Sequence, residues 1–313
     1  MREIGGYIEL DKNSGVMFHD EAIKLNCGRN ALEYVIKANN IRKILMPYFM
    51  CDSCDDVLER NKVQVAYYSI GKDFKPIINV MSDDWLYVVN YYGQLSNEYI
   101  ESLGSRVIVD NTQAYFQIPI EGKNTLYSCR KYFGVSDGAI LYTDNHIDVC
   151  EQDESFNRMH YILGRFERNA NEFYSEYITN NNYFKTEPIK KMSKLTKNIL
   201  TGLDYKKIRD IRTENFSYLD KYLSKTNMLT LSIPLGPFMY PYYVKNGELI
   251  RKRLIENHIY IPMLWPSVLE RCNPNQLEYD MALNILPLPI DQRYNIEDMK
   301  TIIKTIENYR YNQ

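Results

Sequence analysis

One lysine of the sequence follows a β-rich run closely enough to act as a nucleophile at a strand end. Lys131 comes just after the run 125–129 (TLYSC) and before Asp137-Gly138, a dipeptide typical of turns. In an apolar pocket or near a cation, the pKa of a lysine amine falls and the neutral amine can attack an aldehyde. Most lysines are instead solvated and have no such role. Lys131 is therefore a candidate nucleophile, and Lys123, which precedes the same run, is a competing candidate.

A second candidate is an acid at the end of an apolar strand, in residues 106–114 (RVIVDNTQA). A carboxylate buried at a strand end is costly unless a cation or several donors meet it. The pyridinium of pyridoxal phosphate (PLP) is such a partner, and the pairing lets the cofactor ring act as an electron sink. The alternative is an aspartate that caps the following helix. Taken alone, Asp110 fits both interpretations.

A third feature is a glycine that leads directly into a helical pattern, in residues 25–32 (LNCGRNAL). The first N–H groups of a helix have no intrahelical partner and, together with the helix dipole, they form a natural phosphate site. A glycine before a helix is more often an ordinary turn. Gly28, Arg29 and Asn30 are therefore candidates for binding a phosphate through the backbone.

Short β-rich runs alternate with helical patterns through the first half of the chain and would position these residues. Residues 30–38, for example, have apolar side chains at helical spacing. Apolar strands that alternate with helices indicate a mostly parallel sheet between helices, with ligands bound beyond the carboxyl ends of the strands. The predicted strands are 42–49, 63–70, 85–92, 105–110, 125–129 and 139–143.

The second half of the chain is predicted to form a smaller α/β domain. A polar segment, 151–182, with a helical face marked by Ile162, Phe166 and Phe173, precedes it. We expect an N-terminal arm (1–23), a large domain (24–204) and a small C-terminal domain (205–313). The small domain is predicted to contain strands at 228–233, 239–244 and 259–263, a helix at 248–257, and a last helix that Asn295 caps and whose apolar stripe is Met299, Ile302, Ile303 and Ile306.

Composition argues against several classes of protein. A formal net charge of −2 and a pI near 6.2 argue against nucleic-acid binding. No apolar run approaches the roughly 20 residues of a membrane span, and the first residues lack the apolar core of a secretory signal, so we expect a cytoplasmic protein. Cys51-x-x-Cys54 has no second Cys or His pair, so we expect reduced, buried or half-buried thiols and no metal site.

The order of the three features resembles one known family. A phosphate-type turn comes first, then a strand-end acid, and then Lys131, which lies 21 residues after Asp110. In this order the sequence resembles the DegT/DnrJ/StrS-type PLP-dependent sugar aminotransferases, from about residue 20 onward. The resemblance is carried by Gly28-Arg29-Asn30-Ala31-Leu32, Met46-Pro47, Asn90-Tyr91-Tyr92-Gly93-Gln94, Val109-Asp110, Gln113-Ala114, Lys131, Asp137-Gly138 and Leu286-Pro287-Leu288-Pro289.

This resemblance implies a three-layer PLP-dependent transferase fold of the aspartate-aminotransferase type, with a smaller C-terminal α/β domain. It also implies roles for single residues. Lys131 would bind the cofactor as a Schiff base and then carry a proton between substrate and cofactor, and Asp110 would bind the pyridine nitrogen. Gln113 would lie against the cofactor ring near its 3-hydroxyl.

The phosphate end of the cofactor shows both matches to the family and departures from it. The backbone of Gly28, Arg29 and Asn30 would hold the phosphate, with Ser128 adding a hydroxyl, although in the family the serine stands further before the lysine. Cys51 occupies the position at which the family has an aromatic residue stacked on the ring. The family also takes an asparagine or arginine from the partner subunit, for which residues 157–159 are a loose match.

The resemblance implies an enzyme that transfers an amino group, from glutamate, to a nucleotide-linked keto-sugar in surface-glycan or amino-sugar biosynthesis. It also implies a homodimer in which segment 151–182 crosses to the partner. Two alternatives stay open. Related dehydratases modify similar sugars but have histidine in place of the lysine, so Lys131 favours transamination. A catalytically degenerate homologue that acts as a binding partner would fit the missing aromatic residue at Cys51.

Overall fold

A computed structural model of the chain describes residues 4–78 and 84–311, with side chains up to residue 308. Its strands are β1 Ile23–Leu25, β2 Lys43–Pro47, β3 Gln64–Ile70, β4 Pro76–Ile77, β5 Trp85–Val89, β6 Val107–Asp110, β7 Asn124–Ser128, β8 Ala139–Tyr142, β9 Tyr240–Tyr243 and β10 Ile285–Leu288. Its α-helices are α1 Gly28–Ala38, α2 Asp55–Arg60, α3 Asn97–Ser102, α4 His160–Glu167, α5 Tyr174–Tyr183, α6 Lys194–Thr201, α7 Tyr205–Leu223, α8 Gly247–Glu256, α9 Val268–Arg271, α10 Leu277–Asn284 and α11 Ile296–Tyr311.

The first eight strands of the described chain form one mixed sheet, in the order β1-β8-β7-β6-β5-β2-β3-β4. β3, β2, β5, β6 and β7 are parallel, whereas β4 and β8 run antiparallel to their neighbours, and β1 pairs antiparallel with β8. The prediction of a mostly parallel sheet with flanking helices is thereby confirmed. Because β5, β6 and β7 are parallel neighbours, the residues that follow them lie at one edge of the sheet.

The strands that end at this edge have apolar side chains because the sheet is buried between helices. β5 (WLYVV) and β6 (VIVD) are rich in aromatic and β-branched side chains, and β6 is buried throughout. α1 packs on β7 and β8 through an apolar face that includes Leu32, Val35 and Ile36, as its spacing predicts. Burying each of these side chains stabilises the fold by about 1.5–3 kcal/mol. The helix that carries the glycine turn is therefore firmly held against the sheet.

The C-terminal part of the chain has a hydrophobic core of its own. β9 and β10 pair antiparallel, with Tyr242 opposite Leu286, and both strands are buried. α11 packs on α7 and α8. Asn295 and Asp298 cap the start of α11 as the sequence predicts, because the side chain of each accepts a hydrogen bond from the backbone N–H of the other. The predicted apolar stripe is buried: Met299, Ile302, Ile303 and Ile306.

Four local predictions for residues 150 onward are wrong. Residues 228–233 and 259–263 are not strands, because neither run forms a ladder of backbone hydrogen bonds with a strand. Pro262 removes a backbone donor within the second run, and Pro234 directly follows the first. In segment 151–182, Phe173 is buried but Phe166 is 93% exposed, so the predicted helical face is not continuous. Cys150 is exposed, whereas the other cysteines are buried or half-buried as expected.

No helix in residues 4–78 and 84–311 is both long enough and apolar enough to cross a membrane. The predicted boundaries of the arm and the two domains stay predictions.

Candidate active site

Lys131 lies beyond the carboxyl end of β7, in the short 3-10 turn Cys129–Lys131. Its Nζ donates a hydrogen bond to Thr112 Oγ1 over 2.8 Å and lies 5.7 Å from the centre of the Phe238 ring. The residue is exposed, so a ligand can reach the amine. The competing Lys123 precedes β7 and donates to the carbonyl of Gly104. Lys123 therefore lies at the opposite edge of the sheet from Lys131.

Asp110 is the last residue of β6 and is only 8% exposed. Its Oδ2 accepts a hydrogen bond from the Tyr87 hydroxyl over 2.9 Å, and its Oδ1 accepts one from the Thr112 N–H over 2.8 Å. Burial, and then the charge of Asp110, raise the pKa of the Tyr87 hydroxyl well above its usual value, so Tyr87 remains a donor. No helix begins in residues 111–118, so the alternative role of Asp110 as a helix cap is excluded.

Thr112 brings three parts of the site together. Its hydroxyl accepts from Lys131 and its N–H donates to Asp110. Its Cγ2 lies 3.9 Å from the place that a Cβ would take on Gly28. The end of β6, the Lys131 turn and the start of α1 therefore meet around one small side chain.

The start of α1 carries the donors expected of an anion site. The first N–H to bond back to the helix is that of Ala31, which donates to the carbonyl of Cys27, so the N–H groups of residues 28–30 have no intrahelical acceptor. Burial raises the pKa of the Cys27 thiol, although the backbone N–H groups of Asn30 and Arg29 and the guanidinium charges of Arg29 and Arg130 all act to lower it. At the helix start, the backbone N–H groups and the guanidinium charges thus act in favour of negative charge, whereas burial acts against it.

Two arginine side chains add to this charge. Arg29 Nη2 donates to the Asn181 carbonyl over 3.0 Å, and Arg130 donates to the Asn181 side-chain oxygen. Within the described residues, Arg29 Nη1 and Arg130 Nε are buried without a hydrogen-bond partner. Buried donors of this kind favour an anionic ligand.

The side chain of Asn30 has a different task from its backbone. It is fully buried, donates to the Pro188 carbonyl over 2.7 Å and to Asn26 Oδ1 over 2.9 Å, and accepts from Arg60 over 3.2 Å. These bonds fix the start of α1 to the segment before α6. Only the backbone of Asn30 is therefore available to a ligand.

Gln113, Cys51 and Ser128 border the same edge of the sheet. Gln113 is buried, and its Oε1 accepts from the Tyr92 N–H over 2.9 Å, which holds the turn after β5. The Sγ of Cys51, half-buried, lies 2.8 Å from Ser53 Oγ. Ser128 is half-buried at the end of β7. The parts that these three residues play toward a ligand stay predictions.

Comparison with known proteins gives structural similarity only. No family model matches the chain, and no curated protein matches its sequence. Among solved structures, the sugar aminotransferase CalS13 from Micromonospora echinospora has a TM-score of 0.61 at 12% identity, over 93% of this chain and 88% of that one. A DegT DnrJ EryC1 StrS aminotransferase from Brucella abortus has a TM-score of 0.61 at 13% identity, over 92% and 85%. NtdA from Bacillus subtilis, solved with bound cofactor PMP, has a TM-score of 0.63 at 14% identity, over 92% and 72%.

The chain has the fold of these aminotransferases. That fold is the one that the sequence resemblance implied. Of the residues that meet at this edge, the sequence alone indicated Lys131 and Asp110, and it did not indicate Thr112 or Tyr87. Thr112 could have been found, since it lies only two residues after Asp110, the last residue of β6. Tyr87 could not, because nothing in the sequence says which strand neighbours β6.

Proposed function

We propose that this protein is a PLP-dependent aminotransferase that acts on a nucleotide-linked keto-sugar, with glutamate as the amino donor. The observation that carries the proposal is the meeting of Lys131, Asp110 and the start of α1 around Thr112. Solved proteins of the same fold are described as a sugar aminotransferase and as a DegT DnrJ EryC1 StrS aminotransferase, which supports the same reaction class for this chain.

The charges of the site fit the parts of PLP. The cofactor phosphate is a dianion, and the N–H groups of residues 28–30, which have no intrahelical acceptor, would hold it together with the unpartnered donors of Arg29 and Arg130. Ser128 would add a hydroxyl to the same group. Arg130 was not expected from the sequence, and it lies directly before Lys131 in the chain.

Asp110 and Lys131 would serve the reacting end of the cofactor. When bound, PLP supplies an aldehyde carbon that takes up the amino group and a ring that accepts electrons. Asp110 would hold a proton on the pyridine nitrogen through its carboxylate. Lys131 would attach the cofactor through Nζ and then carry a proton at that atom. Gln113, which holds the turn after β5, would lie against the ring.

Lys131 distinguishes this proposal from its alternatives. A dehydratase of the related kind would have histidine at this position, and a degenerate homologue would not need the Lys131–Thr112 hydrogen bond. Cys51 is the residue that favours degeneracy, because a thiol there offers less stacking surface than an aromatic ring. The proposal therefore needs a direct test of cofactor binding.

The homodimer and the cytoplasmic location belong to the proposal as well. Segment 151–182 exposes large apolar side chains, as does the N-terminal segment, and a second copy of the chain would cover such surfaces. The exposed apolar side chains of these segments are Ile4, Tyr7, Ile8, Leu10, Val16, Phe156, Leu163, Phe166, Tyr174, Tyr177 and Ile178.

An absorption spectrum tests the proposed function. We expect the protein with PLP to absorb in the visible, to lose that band when L-glutamate is added, and to regain it with a nucleotide-linked keto-sugar. The return of the band is then compared between nucleotide-linked keto-sugars and the same keto-sugars without the nucleotide. This comparison separates recognition of the nucleotide from recognition of the sugar. A protein that gives no visible band with PLP, or one whose band survives glutamate and every other amino donor, contradicts an aminotransferase.

A further inference from the structure

A buried arginine from the C-terminal part of the chain lies directly against the Lys131 turn. Arg212 belongs to α7, and only 1% of its surface is exposed. Its Nε donates to Gln292 Oε1 over 2.8 Å, and its Nη1 donates to the carbonyls of Pro237 (3.0 Å) and Phe238 (3.2 Å). Among the described residues, its hydrogen-bond partners are thus neutral oxygens rather than carboxylates. Burying a guanidinium in this way is costly, so its position needs an explanation.

The carbonyl of Tyr132, the residue after Lys131, is where the arginine meets the turn. Arg212 Nη2 donates to this carbonyl over 3.3 Å, and Gln292 Nε2 donates to it over 2.8 Å. The guanidinium also lies 4.4 Å from the centre of the Tyr132 ring. A carbonyl with two donors, on a residue whose ring is stacked, leaves the peptide that joins Tyr132 to Phe133 little freedom to rotate.

The same arginine also fixes the residue that faces the lysine amine. Arg212 binds the carbonyl of Phe238, and the Phe238 ring centre lies 5.7 Å from Lys131 Nζ. Gln292 orients Arg212, because its oxygen accepts from the guanidinium while its nitrogen donates to Tyr132. One guanidinium therefore holds both the carbonyl of the residue that follows Lys131 and the aromatic residue opposite the lysine amine.

We propose that Arg212 and Gln292 are positioning residues for Lys131: they clamp the turn so that Nζ stays between Thr112 and the Phe238 ring. Neither residue touches the amine, and both act through Tyr132 and Phe238. The inference rests on the proposed function, because it takes Nζ as the reacting atom. A lysine held in one place reaches a bound aldehyde without first having to be ordered.

The sharpest test removes the hydrogen bonds of Gln292 and leaves the guanidinium in place. In Gln292→Met the Tyr132 carbonyl loses its shorter hydrogen bond, while the side chain keeps a similar volume. Gln64→Met makes the same chemical change at an exposed residue at the amino end of β3, on the edge of the sheet opposite to the site, and is the matched control. Arg212→Lys keeps the charge but loses the planar fork that reaches several acceptors at once.

Two readouts are taken on the full-length protein. The first is hydrogen exchange at the amides of Tyr132 and Phe133 without added cofactor, since both donate to the Cys129 carbonyl, over 3.0 and 2.9 Å. The second is the rate at which added PLP gives the visible band, together with the pH midpoint of that band. We expect Gln292→Met to exchange faster and to develop the band more slowly, each by about fivefold, the effect of the lost hydrogen bond to the Tyr132 carbonyl. The pH midpoint should shift, and Gln64→Met should keep the wild-type exchange, rate and pH midpoint.

The outcomes of this experiment separate the possibilities. A Gln292→Met variant with unchanged exchange at residues 132–133 overturns the clamp. A variant with faster exchange but an unchanged rate and pH midpoint overturns the positioning role, because the loosened turn would then not affect the amine. A wild-type protein that gives no visible band with PLP contradicts the proposed function. If wild type gives the band and Gln292→Met forms it at the same rate and with the same pH midpoint, only the positioning of Lys131 is contradicted.

Discussion

The Tyr87 hydroxyl donates a hydrogen bond to Asp110 Oδ2 over 2.9 Å, from one parallel strand to its neighbour. In the register of the sheet, Tyr87 lies opposite Ile108 and Val89 lies opposite Asp110, so the two partners are diagonal neighbours. Residues two apart in a strand share a face, which allows the tyrosine ring to reach along β6 to the carboxylate. Since the Thr112 N–H holds the other oxygen, the carboxylate is oriented before a ligand arrives.

Asp110→Asn should keep the fold and bind PLP, yet lose activity by about 100-fold or more, because an amide cannot hold a proton on the pyridine nitrogen. The amide has the same shape and can still accept from the Thr112 N–H. The measurement is kcat with saturating PLP, together with the melting temperature. Asp144→Asn, at an exposed position, is the control. Activity close to wild type in Asp110→Asn would remove Asp110 from the site.

Tyr87→Phe should have a smaller effect than Asp110→Asn. It leaves one carboxylate oxygen with an unfilled acceptor position, so we expect the free energy of unfolding to fall by about 1 kcal/mol. The variant should still turn over, but more slowly, since the carboxylate is less well oriented. Tyr67→Phe, at an exposed residue of β3, makes the same chemical change and is the control. A Tyr87→Phe enzyme with wild-type stability and kcat would show that this hydrogen bond has no effect on Asp110.

His19 should make the stability of the protein depend on pH. It is buried, with Nδ1 3.0 Å from the Tyr142 hydroxyl and Nε2 2.9 Å from the Tyr115 carbonyl, and burial lowers its pKa to about 4. An unfolded histidine has a pKa of about 6.5, so the unfolded chain binds the proton more readily. The stabilisation is therefore complete above pH 6.5 and is lost as the pH falls toward 4, by about 3 kcal/mol.

Urea unfolding at pH 7.5 and pH 4.5 measures this dependence. His19→Gln should flatten the difference between the two pH values, whereas His146→Gln, at an exposed position, should leave it as in wild type. A His19→Gln protein that loses as much stability as wild type between these pH values would show that another group is responsible.

The proposed dimer predicts an effect of charge at Phe166. The Phe166 side chain is 93% exposed in the single chain, so Phe166→Asp should not alter folding of the monomer. We expect wild-type protein to scatter light with twice the chain mass of 37.1 kDa and the variant to shift toward one chain mass. Leu249→Asp, at an exposed apolar residue of α8, should remain dimeric. Wild-type protein that holds PLP as a monomer would rule out the dimer.

The sequence predicted the sheet and the edge at which Lys131 and Asp110 lie, because both depend on local patterns. Apolar runs that alternate with helices predict parallel strands, and residues that follow parallel neighbours must lie at one edge. Lys131 and Asp110 follow from that rule. The rule also separates Lys131 from Lys123, which precedes β7 and lies at the other edge.

The residues that sequence reasoning missed depend on long-range contacts. Tyr87 meets Asp110 through strand register, and Arg212 meets Tyr132 across 80 residues of chain. Neither contact leaves a local pattern. The wrong strand predictions at 228–233 and 259–263 have the same origin, since an apolar run becomes a strand only when a neighbour accepts its hydrogen bonds.

The covalent attachment of PLP tests the central claim most directly. Protein loaded with PLP is reduced with borohydride, digested and mapped by mass spectrometry, in wild type and in the Lys131→Ala and Lys123→Ala variants. We predict a phosphopyridoxyl adduct on Lys131 in wild type and in Lys123→Ala, and none in Lys131→Ala. An adduct on Lys123, or no adduct on any lysine although PLP is bound, would contradict the assignment of Lys131 as the cofactor lysine.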